Sequence, residues 1–179
     1  MIHTELVKRA MSGDEEAFEL LIKNESEKLY KTAFLYVRNK EDALDVLQET
    51  VFKAFISINQ LKQPEYFSTW LTKILIRTAY ELLRKKKKFI LSDEVILNTI
   101  SQNQSKRIED QIDIAYAISL LNDHYKTVII LFYYHDLPLR KIAKVMDKPV
   151  GTIKTYLHRA KIELKKILEG GKYYGQGMA

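Results

Sequence analysis

The stretch LPLRKIAKVMDKPVGTIKTYLHRAK, Leu137–Lys161, holds two helical patterns parted by the four residues Lys148-Pro149-Val150-Gly151. In the first, Leu139, Ile142, Ala143 and Met146 form an apolar stripe, and Pro138 suits a first turn. In the second, Ile153, Leu157, Ala160, Leu164 and Ile167 are spaced four, three, four and three, which predicts one long helix with a single buried face. Two helices joined by so short a break cross steeply, as in a helix-turn-helix. Opposite the stripe lie Thr152, Thr155, Tyr156, Arg159 and Lys166, flanked by Lys154, His158, Lys161 and Lys165. From Asp147 to Lys166 six Lys or Arg stand against Asp147 and Glu163. Phosphate attracts that surplus, and short hydroxyls at a helix start can bond base edges. A plain basic amphipathic helix is the alternative reading.

Beyond this stretch the chain is a soluble-domain sequence. Its 179 residues suffice for one domain or two small ones, and 46% hydrophobic with 29% charged residues suits a packed core in water. Gly and Pro are scarce, at six and three, and no strand-period run stands out, so an all-α fold is expected. The net charge of +6 favours polyanionic partners. There is no cysteine, which removes disulfides, thiol catalysis and Cys-ligated metal sites. His3, His124, His135 and His158 form no pair at metal-ligand spacing, so no metal or other cofactor is expected. No signal-peptide pattern and no membrane-length apolar run occurs; the expected location is the cytoplasm, with no direct membrane insertion.

Helix signals punctuate the rest. Ser12 to Glu15 has capping-box spacing and predicts a helix to about Val37 that buries Phe18, Leu21, Ile22, Leu29, Ala33 and Phe34. Asn39 with Asp42 marks a second start, with Leu44, Leu47, Val51, Phe55 and Ile58 as its core face. After a loop from Gln60 to Phe67, Ser68 is expected to cap a helix from Thr69 to about Lys87, apolar at Leu71, Ile74, Leu75, Thr78, Leu82 and Leu83. Residues 91–110 read as a polar linker with a short turn around Ile96 and Ile100. Helices resume near Gln111–Leu121 and His124–Tyr134, and the tail 171–179 reads as disordered.

Charge is unevenly dealt along this plan: net −3 over residues 1–60, +6 over 61–90, −2 over the linker and +5 after it. The first basic zone opens with Tyr66, Phe67 and Trp70 and closes with Arg84-Lys85-Lys86-Lys87-Lys88. Aromatic faces stack on unpaired bases while nearby cations neutralise phosphates, a pairing suited to single-stranded or melting DNA. Phe67 and Trp70 serve equally well as core, and the cations as complements to a helix C-terminus. The acidic zone includes a stripe, Asp42, Asp45, Gln48 and Glu49, that reads either as a solvated face or as a protein-docking surface.

Four stretches in this order are similar to one family. They are Gly13–Phe18, Glu41–Phe52, Phe67–Ile74 and the helix-turn-helix from Leu137 to Ala160. The chain resembles the extracytoplasmic-function (ECF) sigma factors, promoter-recognition subunits of bacterial RNA polymerase, from Ser12 to Leu168. The resemblance implies two small helical domains: sigma region 2 in residues 1–90 and sigma region 4 in 111–170. It implies that Asp45, Gln48 and Glu49 dock on the clamp of the largest polymerase subunit. The loop Gln60–Phe67 and helix Ser68–Lys88 would read and open the downstream promoter element, with Tyr66, Phe67, Trp70, Arg77, Arg84, Lys85 and Lys86 at DNA. The helix Val150–Lys166 would enter the major groove of the upstream element, with Thr152, Lys154, Thr155, Tyr156, His158 and Arg159 at DNA. It further implies an anti-sigma partner, membrane-linked in some arrangements, and release by an envelope or extracellular stress signal.

The sequence departs from the family at Arg77, where asparagine is common, and at Glu81, where aspartate is. Asp147 replaces a frequent glycine in the turn, Pro149 a frequent serine and Tyr156 a frequent arginine. Geometry adds one expectation. Two readers one and a half turns of duplex apart are separated by roughly 50 Å, whereas a relaxed twenty-residue coil spans only about 25 Å. The free chain is thus expected to be compact or mobile and to bind promoters poorly alone. Two rival classes remain: a dimeric repressor or activator on a palindrome, and a nucleic-acid enzyme, for which no catalytic cluster or phosphate-binding loop is evident.

Overall fold

The computed structural model describes residues 2–93 and 114–173, all helices and turns with no strand among them. The first half comprises α1 (Ile2–Met11), α2 (Glu15–Val37), α3 (Lys40–Ser57) and α4 (Phe67–Asp93). Two short 3-10 turns, Ile58–Gln60 and Pro64–Tyr66, carry the chain from α3 to α4. The second half comprises α5 (Ile114–Leu120), α6 (Asp123–Ile129) with a π-helical continuation Ile130–Tyr134, α7 (Leu139–Met146) and α8 (Val150–Tyr173). The linker from residue 94, its expected turn at Ile96 and Ile100, and the tail from residue 174 lie outside the described residues.

The first start signal is used differently from the expectation. An unanticipated helix, α1, precedes it, and the Ser12 hydroxyl donates back to the Lys8 carbonyl at 3.0 Å. Gly13 takes φ +95, a conformation that glycine adopts without strain, and turns the chain. Asp14 is the cap: its carboxylate accepts from the Ala17 amide at 3.0 Å and pairs with Arg9 at 2.7 Å. The Ala17 bond first, and Arg9 second, hold that carboxyl below its ordinary range. Asn39 caps α3 as the sequence indicates, accepting from Asp42 N at 3.0 Å. Ser68 does not cap; α4 begins one residue earlier, and the Ser68 hydroxyl donates to Glu25 on α2 at 2.7 Å.

The core face of α3 is rotated by one position. Ala43, Val46, Thr50 and Ala54 are buried, Leu47 and Val51 are half-buried, and Leu44 and Phe55 stand 49% and 46% exposed. Small inward side chains let α3 lie close between α2 and α4, and the Thr50 hydroxyl is satisfied by its own helix at Val46 O, 2.6 Å. Large apolar residues are displaced to the rim by that close approach. In the second half the expected stripe is buried at Ile142, Ala143, Ile153, Leu157 and Ala160, joined by Val145, and half-buried at Leu139, Met146, Leu164 and Ile167.

The two halves touch. α5 lies against α2, and α7 against α4. A hydrogen-bonded chain crosses the seam: Tyr36 Oη donates to Thr127 Oγ1 at 3.1 Å, Thr127 Oγ1 lies 2.9 Å from Tyr80 Oη, and Tyr80 donates to the Asp123 carbonyl at 2.8 Å. Each hydroxyl has one proton, so Thr127 is the donor to Tyr80 and the chain runs in one direction. Burial holds both phenols protonated, well above their ordinary range. Nearby, Thr32 Oγ1 on α2 meets His135 Nε2 at 2.9 Å. Burial first, and the Lys28 charge second, pull the His135 pKa from 6.5 down to about 4.

Two outcomes follow from the seam. Thr127→Val leaves the buried Tyr36 hydroxyl without its acceptor and should cost about 1–3 kcal/mol in urea unfolding, whereas Ser at 127 should retain most of that. His135 is neutral in the folded chain and binds a proton near pH 6.5 when released. Stability is therefore at its full value above about pH 6.5 and is lost as pH falls towards 4. Urea midpoints across that window should decline less steeply in His135→Gln than in the parent.

Candidate nucleic-acid and polymerase interfaces

The helix-turn-helix is built as the sequence indicates. α7 ends at Asp147, whose backbone is left-handed at φ 51, ψ 47, and its amide bonds the Ala143 carbonyl. The Lys148 amide reaches the same carbonyl at 3.0 Å, and Pro149 O accepts from Ile153 N at 3.1 Å to open α8. Lys154, Thr155, His158 and Arg159 stand exposed on α8, and Thr152 is half-exposed beside them. The Thr155 hydroxyl donates to Gly151 O at 3.1 Å, which leaves its lone pairs outward. Tyr156 lies to one side of this set. Its ring stacks on His124 of α6 at 5.2 Å and 11°, and meets Tyr125 edge-on at 5.9 Å. The α8 periodicity carries no information about these α6 neighbours.

The aromatic-basic zone divides by depth. Phe67 is fully buried against His3 and Trp70, at 6.0 and 5.9 Å between ring centroids, so it has no surface to offer a base in this arrangement. Trp70 is half-buried and packs on the same core; Tyr66 is half-exposed ahead of it. Arg77, Arg84, Lys85 and Lys86 are exposed along α4. Lys73 belongs with them, one turn before Arg77 on the same helix; an i, i+4 spacing to Arg77 is the signal that could have found it. Lys53 ties α3 to α4 through Glu81 at 2.7 Å and reaches Glu49 at 3.4 Å, and that bond is the first cause of the lowered Glu81 carboxyl pKa.

Asp45, Gln48 and Glu49 are all exposed on α3, and Asp42 is drawn aside by Lys86 of α4 at 2.6 Å. Leu44, Phe52 and Ile56, at helical spacing along the same rim, are 49%, 60% and 58% exposed. The acidic stripe therefore runs beside an apolar one, a feature hidden from sequence reasoning by the one-position error in the core face. Charged residues beside exposed apolar ones on a rigid helix form a surface for a protein, not for DNA.

A helix-turn-helix module packed on a helical module with a basic-aromatic helix and an acidic-apolar rim defines a sigma-70-type promoter-recognition subunit. The family models described as Sigma-70 region 2 and Sigma-70, region 4 match residues 21–89 and 111–164. RNA polymerase sigma factor SigV of Bacillus subtilis (strain 168) is 38% identical over 139 residues, 78% of this chain and 83% of that protein. ECF RNA polymerase sigma factor SigW of the same organism is 30% identical over 176 residues, 90% and 94% of the two chains. The fold is shared with sigma factor RpoE in complex with the anti-sigma factor NepR from Bartonella quintana (TM-score 0.70, 22% identity, 85% and 96% covered). It is shared also with CnrH in complex with the cytosolic domain of CnrY (TM-score 0.72, 21% identity, 94% and 97% covered).

The chain belongs to the ECF sigma factors. It is an RNA polymerase sigma factor of that type, a specificity subunit of transcription initiation whose partners are core polymerase and promoter DNA. No helix among the described residues is long and apolar enough to cross a membrane, and no group of three His, Asp or Glu among them is placed to hold a metal. Arg159→Ala and Lys154→Ala should each weaken duplex binding by isolated holoenzyme. Each substitution that removes a phosphate contact should lower the slope of log affinity against log salt by about one.

Proposed function

We propose that residues 1–90 act as region 2 and 111–170 as region 4, each gripping its own promoter element. The observation that carries this reading is the distribution of charge over the elements: the exposed cations Lys154 and Arg159 are on α8, and the acidic-apolar rim is on α3, bordered by Lys85 and Lys86 of α4. On this reading Arg84, Lys85 and Lys86, with Arg77, Tyr66 and Trp70, meet the downstream element as it opens. Phe67 supports them from beneath. Thr152, Lys154, Thr155, His158 and Arg159 read the upstream element in the major groove, with Tyr156 at its edge.

Asp45, Gln48 and Glu49 engage the clamp of the largest polymerase subunit. Leu44 and Phe52 supply apolar area that the acidic stripe lacks, and the desolvated centre of such a patch provides most of the affinity. The chain itself performs no chemistry; it selects where the polymerase begins. The two solved structures that share its fold each hold a second protein, in one an anti-sigma factor, which supports an anti-sigma partner here as well. That partner would hold the chain inactive until an envelope or extracellular stress signal acts.

Transcription by core polymerase on a pool of random promoters should enrich two-part sites only when this chain is added. Asp45→Lys should abolish holoenzyme assembly in gel filtration while leaving the urea midpoint within about 0.5 kcal/mol of the parent. Assembly at parental strength would move the clamp contact elsewhere. Tight binding by the free chain to a palindromic duplex, as a dimer, would favour the repressor reading instead.

A further inference from the structure

The cationic side chains of α4 nearest region 4 are already engaged. Lys73 Nζ donates to both oxygens of the Asp147 carboxylate, at 2.9 and 2.8 Å, and reaches the Lys144 carbonyl at 3.5 Å. Arg77 Nη2 lies 3.6 Å from the same carboxylate. One turn back from Asp147, Lys144 Nζ sits 5.0 Å from the centre of the Tyr66 ring. Two side chains of the basic-aromatic surface, Tyr66 and Lys73, are thus partly covered by the end of α7 and its turn, and Arg77, still 65% exposed, lies at the edge of the same contact.

We propose that the free chain holds itself closed through this contact, with the Asp147 carboxylate occupying on Lys73 and Arg77 the place of a promoter phosphate. The proposal rests on the reading of α4 as the promoter-opening helix. Three observations carry it. The turn does not need the carboxylate: its cap is made by backbone amides to Ala143 O, and the side-chain partners of Asp147 are all on α4. The backbone there, at φ 51, is one that glycine and asparagine adopt more readily than aspartate. Finally, Asp147 stands three residues before α8 begins, where a carboxylate repels the phosphates of any duplex in that groove. In the closed arrangement Lys73 and Arg77 give the charge favourable partners.

The contact is suited to release. The Lys73 and Asp147 side chains are 27% and 67% exposed, so the pair is solvent-screened and biases the equilibrium rather than locking it, by about two- to fivefold. Polymerase that grips the α3 rim and draws the halves apart loses little to this contact, while the unbound chain remains covered.

The chain has no cysteine, so Lys62→Cys and Lys165→Cys, both exposed and one in each half, accept a dye pair without further changes. Single-molecule energy transfer would be recorded for this labelled full chain, for Asp147→Asn, for Lys73→Gln and for the double variant. The expected result is an open fraction raised about two- to fivefold by either substitution and no further by both. Asp147→Gly should match Asp147→Asn and leave the unfolding midpoint unchanged or higher, which separates opening from misfolding. Open fractions equal in all four proteins, or additive in the double variant, overturn the latch. Promoter opening by holoenzyme carrying Arg84→Ala with Lys85→Ala tests the underlying reading separately. If opening is unimpaired, α4 is not the promoter-opening helix, whatever the energy-transfer result.

Discussion

The docking of the two described halves depends on a run of three hydroxyls that starts in the core and ends near the surface. Tyr36 of α2, Thr127 of α6 and Tyr80 of α4 pass hydrogen bonds in one direction to the Asp123 carbonyl. Two of these groups belong to region 2 and one to region 4, so the run can be complete only with the halves together. The rings of Tyr36 and Tyr80 meet edge to face at 5.3 Å, which fixes where their hydroxyls point before region 4 arrives. A polar seam of this kind specifies one docking geometry, because a slipped interface leaves buried hydroxyls unpaired. The apolar core also runs on across the seam, with Tyr36 and Ile76 of region 2 and Val128 and Val145 of region 4 in one buried cluster, so separation exposes apolar surface as well.

From that seam the electrostatics follow. Docking brings α7 onto α4, and the basic helix that the sequence marks for DNA then finds internal acid. Lys73 and Arg77 meet Asp147 across the seam, while within region 2 Lys86 of α4 already meets Asp42 of α3 and Lys53 of α3 meets Glu81 of α4. The chain's net charge of +6 is therefore a poor guide to the surface that it presents when closed. Arg84 and Lys85 on α4, and Lys154, His158 and Arg159 on α8, remain outward. The strongly basic character resides in the last turns of α4 and in α8, while the middle of α4 is partly neutralised.

Region 2 solves a separate problem. α3 packs closely against two helices and still presents an acidic-apolar rim to solvent. Small inward residues, Ala43, Val46, Thr50 and Ala54, permit the close approach and leave Leu44, Phe52, Phe55 and Ile56 at the rim. A patch of exposed phenylalanine is unfavourable in water unless something covers it. The adjoining acidic residues keep that rim hydrated in the free chain, and under the proposed clamp contact they are the charge that the polymerase recognises.

The helical class, the two-part plan and the helix-turn-helix were legible in the sequence, because each rests on local periodicity and capping chemistry. The α8 stripe from Ile153 to Ala160 and the Asn39 cap are cases in which neighbouring residues alone set the outcome. Whatever involves two elements at once was decided by the tertiary structure. The α3 face turned by one position because both possible stripes are apolar, and only the closeness of α2 and α4 selects the smaller side chains. Phe67 went inward and Tyr156 onto His124 because helices distant in sequence supply their neighbours. The pairing of Lys73 with Asp147, seventy-four residues apart, has no local signature at all. Periodicity reports which face of a helix is apolar; only packing determines which atoms that face meets.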